Sequence, residues 1–361
     1  MEVKNSKLKV KKFGLGILSN VVSSQEKLHA KFGGIVPEVA ARRHIEMMMP
    51  VLDCALDGLD FQKDIDAIAV TGGPGLITSL AVGVETAKTL AMALNKPLIN
   101  VNHIEAHALA GLIPSLAATC ELPAFPVICL VVSGGHTQII LIKKIGSYKI
   151  VGETLDDAAG EAFDKVAKIL GLGYPGGPVI SARAAMAVSL HGQPKQSGLK
   201  QDCFAAKAAR NDELLRLPRP MIGSTDLNFS FSGLKTAVLY KWKELSVGKK
   251  GKALETLKSE FAKEFQDAVI DVLVSKTLRA TEKYKAKTVM IGGGVSANKL
   301  LRERMAESVE KKFNGAVSFI SPNMKYCTDN AAMIGFAASF RFQKEQFIDP
   351  LKLKADPNWE L

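Results

Sequence analysis

His103 and His107, in the run Asn102-His103-Ile104-Glu105-Ala106-His107, stand four residues apart. On a helix that spacing projects both imidazoles from one face, where they can chelate a single metal ion. Glu105 lies between them and points the other way. The run therefore differs from the H-E-x-x-H pattern of zinc proteases, in which the Glu directly follows the first His and serves as base. The competing reading of such a pair is purely structural. A two-histidine site needs a further ligand, and Asp329, in Tyr326-Cys327-Thr328-Asp329-Asn330 ahead of a helical segment, is the candidate; its competing role is a helix N-cap. His136 is a third histidine in a glycine-rich setting, which strengthens the metal or catalytic reading.

Glycine-rich turns form the second group. Val131 and Val132 close an apolar run that opens into Ser133-Gly134-Gly135-His136, a turn whose bare amides can approach a ligand closely. Asp156 to Lys165 clusters four carboxylates, among them Asp164, and reads otherwise as an acidic, solvated helix start. The loop Gly173 to Pro178, which includes Gly177, can wall a site or simply turn the chain. Gly292-Gly293-Gly294 leads to Asn298, whose side chain offers both donor and acceptor to a base or ribose.

The elements that must carry these residues follow from periodicity. Asp64 to Gly75 is a β-branched run ending in glycines and leading into a helix-period segment, Ser79 to Leu94. Pro97 to Val101 predicts a short buried strand feeding a helix from about His103 to Leu112. Pro126 to Val132 predicts another buried strand, with Thr137 to Lys143 as its hairpin partner. Leu254 to Tyr284 predicts a long helix, Thr288 to Ile291 a strand, and Asn298 the start of a helix to about Phe313. This alternation argues an α/β fold. Three strand-to-glycine junctions in two halves suggest a duplicated architecture around a cleft suited to phosphate or nucleotide. Ser189 to Leu217 is polar and reads as an insertion or solvated helical excursion.

The chain has 361 residues, 47% hydrophobic and 23% charged, which fits about two domains with a sizeable core. No unbroken apolar run approaches the ~18 residues of a membrane span, and the Lys-rich start lacks a secretory h-region, so a cytoplasmic location is expected. Five scattered cysteines without C-x-x-C spacing argue against a disulfide framework or a Cys-rich zinc site. Lys plus Arg outnumber Asp plus Glu by 47 to 36, a net charge of +11 that makes a polyanion such as RNA a fitting partner.

Taken together the motifs resemble those of the universal tRNA threonylcarbamoyladenosine transferase family, in its bacterial TsaD style. They run in order: Ser24-Gln25, His29, Gly33 to Glu38 with Arg42 and His44, Thr71 to Leu76, Asn102 to His107, Ser133 to Gln138, Asp156 to Lys165, Tyr174 to Pro178, Phe229 to Thr236, Gly292 to Asn298, and Cys327 to Asn330. The resemblance implies the actin-like, sugar-kinase and heat-shock-chaperone fold, with two α/β lobes around a nucleotide cleft. It implies transfer of a threonylcarbamoyl group from threonylcarbamoyl-adenylate to the adenosine beside the anticodon in tRNAs reading codons that begin with A. Carried over by position, His103, His107 and Asp329 match the metal ligands. Val131, Val132, Ser133, Gly134, Gly135, Asp164, Gly177 and Asn298 match the adenylate contacts. One divalent metal is implied, Fe(II) favoured over Zn(II), together with a paralogous partner subunit and a small ATPase.

The expected division is residues 1–125 as a first lobe, 126–335 as a second lobe with a helical insertion, and 336–361 as a helix and tail returning to the first lobe. The family pattern opens with a strand and a Glu-Thr-Ser-Cys-Asp-like loop that have no counterpart before Ser24 here. Glu2 to Phe13 and Gly16 to Val22 accordingly read as the rest of a second strand and its successor, with the first strand and loop of lobe 1 missing. The alternatives are an inactive nucleotide- and metal-binding family member, a kinase or ATPase of the same fold, and a metallopeptidase.

Overall fold

The structure, a computed structural model, describes residues 12–14, 16–113, 119–191 and 214–361. Its central element is the apolar run Val127–Val132, strand β5, in which every residue is buried. Side chains alternate across a strand, so β5 must be covered on both faces. It pairs antiparallel with β6 (Thr137–Lys144), which pairs antiparallel with β7 (Ser147–Glu153). On its other side it pairs parallel with β8 (Thr288–Gly292), which pairs parallel with β9 (Ser318–Ile320). The sheet order is β7-β6-β5-β8-β9.

Ile128, Leu130 and Val132 face a core built with α5 (Ala159–Ile169), α6 (Gly176–His191), α7 (Ser232–Leu245), α8 (Gly251–Lys283) and α9 (Lys299–Phe313). Val127, Cys129 and Val131 face a second core with α4 (His103–Leu109) and α10 (Ala331–Phe342). The expected α/β alternation is thus present, and the strands and helices predicted between residues 97 and 313 fall where the periodicity put them, within a few residues.

The first lobe is a βαβ unit. Strand β2 (Ile68–Gly73) runs parallel to β3 (Leu98–Asn102) through the crossover helix α3 (Ile77–Leu94), with α2 (Pro37–Ala55) packed outside α3. Among the described helices, α3 alone is long and apolar enough to cross a membrane. Here it covers the two-stranded sheet through Val84, Ala87 and Ala91. The tail returns to this lobe. Ile348 bridges Leu98, the Asp356 amide donates to the Gly72 carbonyl (2.8 Å), and the Gly75 amide donates to the Pro357 carbonyl (3.2 Å).

A short strand β1 (Lys12–Gly14) pairs antiparallel with β4 (Thr119–Glu121). The successor strand expected at Gly16 to Val22 does not form: the segment pairs with no strand among the described residues, and Leu18 and Val22 stand exposed. Most of the 189–217 segment lies outside the described residues. At its end Leu215 and Leu217 are buried in the second-lobe core.

Candidate active site

Strand β3 delivers the histidine pair. Asn102 ends the strand and caps α4, its Oδ1 accepting from the Ile104 and Glu105 amides (2.9 and 3.2 Å), a placement suited to Asn because its short side chain folds back onto free amides. Its Nδ2 donates to the Trp359 carbonyl (3.1 Å), so the tail holds the cap. His103 and His107 then lie one helical turn apart, ring centroids 4.6 Å from each other. Both Nε2 atoms converge on Asp329 Oδ1, at 3.3 Å from His103 and 3.1 Å from His107. The capping role weighed for Asp329 belongs instead to its neighbour: Asn330 Oδ1 accepts from the Met333 amide at the start of α10 (2.9 Å), which leaves the Asp329 carboxylate for the cleft.

The electrostatics suit a cation. Burial holds the His107 imidazole below its usual range, against the pull of Asp329. The protein crowding Asp329 opposes its ionisation, but hydrogen bonds from His103 and His107 prevail and hold the carboxyl well below the usual range. His107 Nδ1 is buried with no hydrogen-bond partner, and one donor atom from each of the three residues lies within 4.8 Å of the others. Two imidazoles and a carboxylate form a donor set that suits Fe(II) or Zn(II), so these residues fit a divalent ion. Burial, reinforced by His103 and His107, also holds the His136 imidazole below its usual range. The Ser-Gly-Gly-His run carried that signal, without a defined role.

The glycine turn after β5 is held by the Ser133 amide donating to the His136 carbonyl (2.8 Å) and the His136 amide donating to Ser133 Oγ (3.1 Å). A Cβ placed on Gly134, Gly135 or Gly177 would meet no protein atom within 4 Å. Packing does not require glycine at these positions. At Gly160 and Gly176, by contrast, a methyl group would overlap the backbones of Ser133 and of Phe163 and Asp164. Val131 and Val132 turn their side chains into the two core layers and can offer the cleft only backbone.

Asp164, on α5, accepts from the Gly176 amide at the start of α6 (2.7 Å). Burial pushes its carboxyl up, and the amide opposes the rise. Asn298 caps α9, its Oδ1 accepting from Leu301 (3.0 Å), while Nδ2 donates to Ser181 Oγ (2.9 Å) and Gln266 Oε1 (2.8 Å). Both amide protons are thus committed within the protein, and one Oδ1 lone pair is left over by these bonds. Ser181 and Gln266, distant in sequence, went unread because nothing local marks them. The acidic cluster is tied into the protein by ion pairs and hydrogen bonds, although Asp156 is itself exposed. Asp157 pairs with Lys165 (2.7 Å) and Lys235 (3.3 Å), and Asp156 accepts from Ser230 and Ser232.

The sequence model of the family described as tRNA N6-adenosine threonylcarbamoyltransferase matches residues 16–336. The chain belongs to that family. A relative of the same description from Burkholderia vietnamiensis is 42% identical over 350 residues, 96% of this chain and 92% of its own. One from Persephonella marina is 46% identical over 333 residues, 91% of this chain and 85% of its own. Among solved structures, that of T. kodakarensis HypF aligns with a TM-score of 0.46 and 12% identity, over 84% of this chain and 44% of that one. The α/β class expected from the motifs is the one the sheets and helices described above form.

Proposed function

We propose that this chain transfers a threonylcarbamoyl group from threonylcarbamoyl-adenylate to the N6 amine of the adenosine beside the anticodon in tRNAs reading codons that begin with A. The observation that carries this reading is the convergence of His103, His107 and Asp329 beside a glycine turn with open space above it, in a member of this family.

In the reaction the amine attacks the carbamoyl carbon. A C–N bond forms, the bond from that carbon to the phosphate oxygen breaks, and AMP leaves with the electron pair while the amine proton passes to solvent. The Gly134 and Gly135 amides of the turn hold the adenylate phosphate as charge collects on it. Asp164, Gly177 and the free Oδ1 lone pair of Asn298 hold the ribose and base, with Val131 and Val132 contributing backbone. The amine is a poor nucleophile, so holding both substrates in place supplies much of the rate. His103, His107 and Asp329 would hold one divalent ion, Fe(II) ahead of Zn(II), which when bound polarises the carbonyl and orients the threonylcarbamoyl group. The metallopeptidase reading loses its base, because the Glu105 carboxylate is buried against Tyr148 and Arg341.

The division into residues 1–125, 126–335 and 336–361 goes with this reading, as do a cytoplasmic location, a paralogous partner subunit and a small ATPase. The net charge of +11 fits tRNA. Nucleoside mass spectrometry tests the function. Unmodified tRNA incubated with the chain, those partners, metal and threonylcarbamoyl-adenylate should yield threonylcarbamoyladenosine above a no-enzyme control. None, beside a working relative, overturns the proposal. His103→Ala should abolish stoichiometric metal by elemental analysis, and retained metal overturns the ligand assignment.

A further inference from the structure

Glu105 stands between the two histidines yet takes no part in the site they form. Its side chain is 4% exposed and reaches the opposite face of α4. There Tyr148 Oη, on β7, donates to its Oε1 (2.7 Å), and Arg341 Nη2, on α10, lies 2.6 Å from its Oε2 in an ion pair. Burial and the Glu105 charge raise the Tyr148 phenol, so it remains a donor. The partners matter for where they lie. Helix α4 carries His103 and His107, and α10 begins at Asn330, the residue after Asp329. The Glu105–Arg341 pair therefore joins the two elements that bring the three ligands together, and Tyr148 ties both to the edge of the main sheet.

From this geometry we infer that Glu105, with Arg341 and Tyr148, is the positioning clamp of the metal centre. It fixes the separation of α4 and α10, and with it the distance from the imidazoles to Asp329. The inference rests on the metal reading given above. Groups that orient ligands from outside a site typically change metal affinity by about 10–100-fold when removed. Here the effect travels through helix placement rather than through a hydrogen bond to an imidazole.

Co(II) is the probe, since its visible bands report ligand geometry. Its affinity is measured by chelator competition for the full chain and for Glu105→Gln, Arg341→Met, Arg341→Lys and Tyr148→Phe, with thermal midpoints of the metal-free proteins alongside. A cavity of about 390 Å³ bordered by Glu105, Tyr148 and Arg341 lets water take the place of a lost group, so the fold should tolerate these changes. Glu105→Gln and Arg341→Met are expected to weaken Co(II) binding about 10–100-fold and to shift the bands. Arg341→Lys, which restores the positive charge, should recover most of the affinity, and Tyr148→Phe should lose least. If Glu105→Gln binds Co(II) with unchanged affinity and spectrum while His103→Ala binds none, the clamp is wrong and the metal site stands. If the unsubstituted chain binds no Co(II), the metal reading fails and the clamp with it.

Discussion

Strands β5 and β2 each have six residues, pair in parallel with a neighbour and lead to a glycine turn, yet β5 is buried throughout and the first four residues of β2 are only half-buried. The difference lies in what covers them. β5 has a strand on each side and a packed layer on each face, the larger one including Phe163, Phe261, Phe265 and Val269. β2 pairs with β3, is covered by α3, and is closed off by the tail. Helix α2, outside α3, buries only Ala40, while Ile45 and Met49 stand exposed. The residues of the candidate site hang almost entirely from the well-covered side: from the end of β5, from β8 and α9, from α5 and α6, and from α4, which packs against the second face of the main sheet. A site that must hold ligands to fractions of an ångström is thus placed where the packing is two-sided, and the first lobe depends on fourteen residues of tail, 348–361, to close its sheet.

The largest effect should come from the deep core. Phe265 is fully buried and meets Phe163 edge-to-face at 5.1 Å. Phe265→Ala is expected to cost about 3–5 kcal/mol in urea unfolding. A loss under about 1 kcal/mol would mean that the second lobe is no better packed than the first, and the contrast would break.

The tail offers a smaller, more local test. Leu353 is 1% exposed and joins Val84, Ala87, Ala91 and Leu98 in a separate small cluster. Leu353→Ala should cost about 2 kcal/mol, the low end for such a change, because a chain end can relax into the gap. Hydrogen exchange should then quicken in β2, β3 and residues 348–361 while β5 keeps its protection. Equal loss of protection in β5 would show that the two lobes open as one unit.

These contrasts also explain what could be read from the sequence. The β5–β6 hairpin and helices α4 and α8 were legible because continuous apolar runs or a 3.6-residue period are bounded by glycine or proline. The histidine pair was legible from spacing alone. Three things were not. The tail was expected to return to the first lobe, but its points of attachment there, the backbone groups of Asp356, Pro357 and Trp359, carry no side-chain signature. The Ser181–Gln266–Asn298 contacts join residues from three helical segments, and only Asn298 lies in a motif. At Asp329-Asn330 two good capping residues are adjacent, and sequence does not say which one turns back to the helix. Gly16 to Val22 failed for a different reason: β-branched composition favours extended chain but does not say whether another strand pairs with it, and none does among the described residues.

The smallest effect concerns charge at the cleft. Asp156 Oδ2 accepts from the Ser230 and Ser232 hydroxyls (both 2.6 Å) and Oδ1 from the Phe231 and Ser232 amides (2.8 and 3.3 Å), tying the β7–α5 connection to the start of α7. Partial burial alone would raise its carboxyl, but these bonds outweigh that and hold it below the usual range. A carboxyl depressed in the folded state binds fewer protons there than in the unfolded chain. Its contribution is therefore present above the ordinary carboxylate pKa and is lost as the pH falls through the depressed value. Asp156→Asn should cost about 1 kcal/mol at neutral pH, discounted because water reaches the group and the hydroxyls can turn to accept from an amide. The variant and the parent should then converge in stability as the solution is acidified. Urea titrations at neutral and acid pH decide it: a stability gap that stays constant, or widens toward acid, would show that packing rather than charge holds this connection in place.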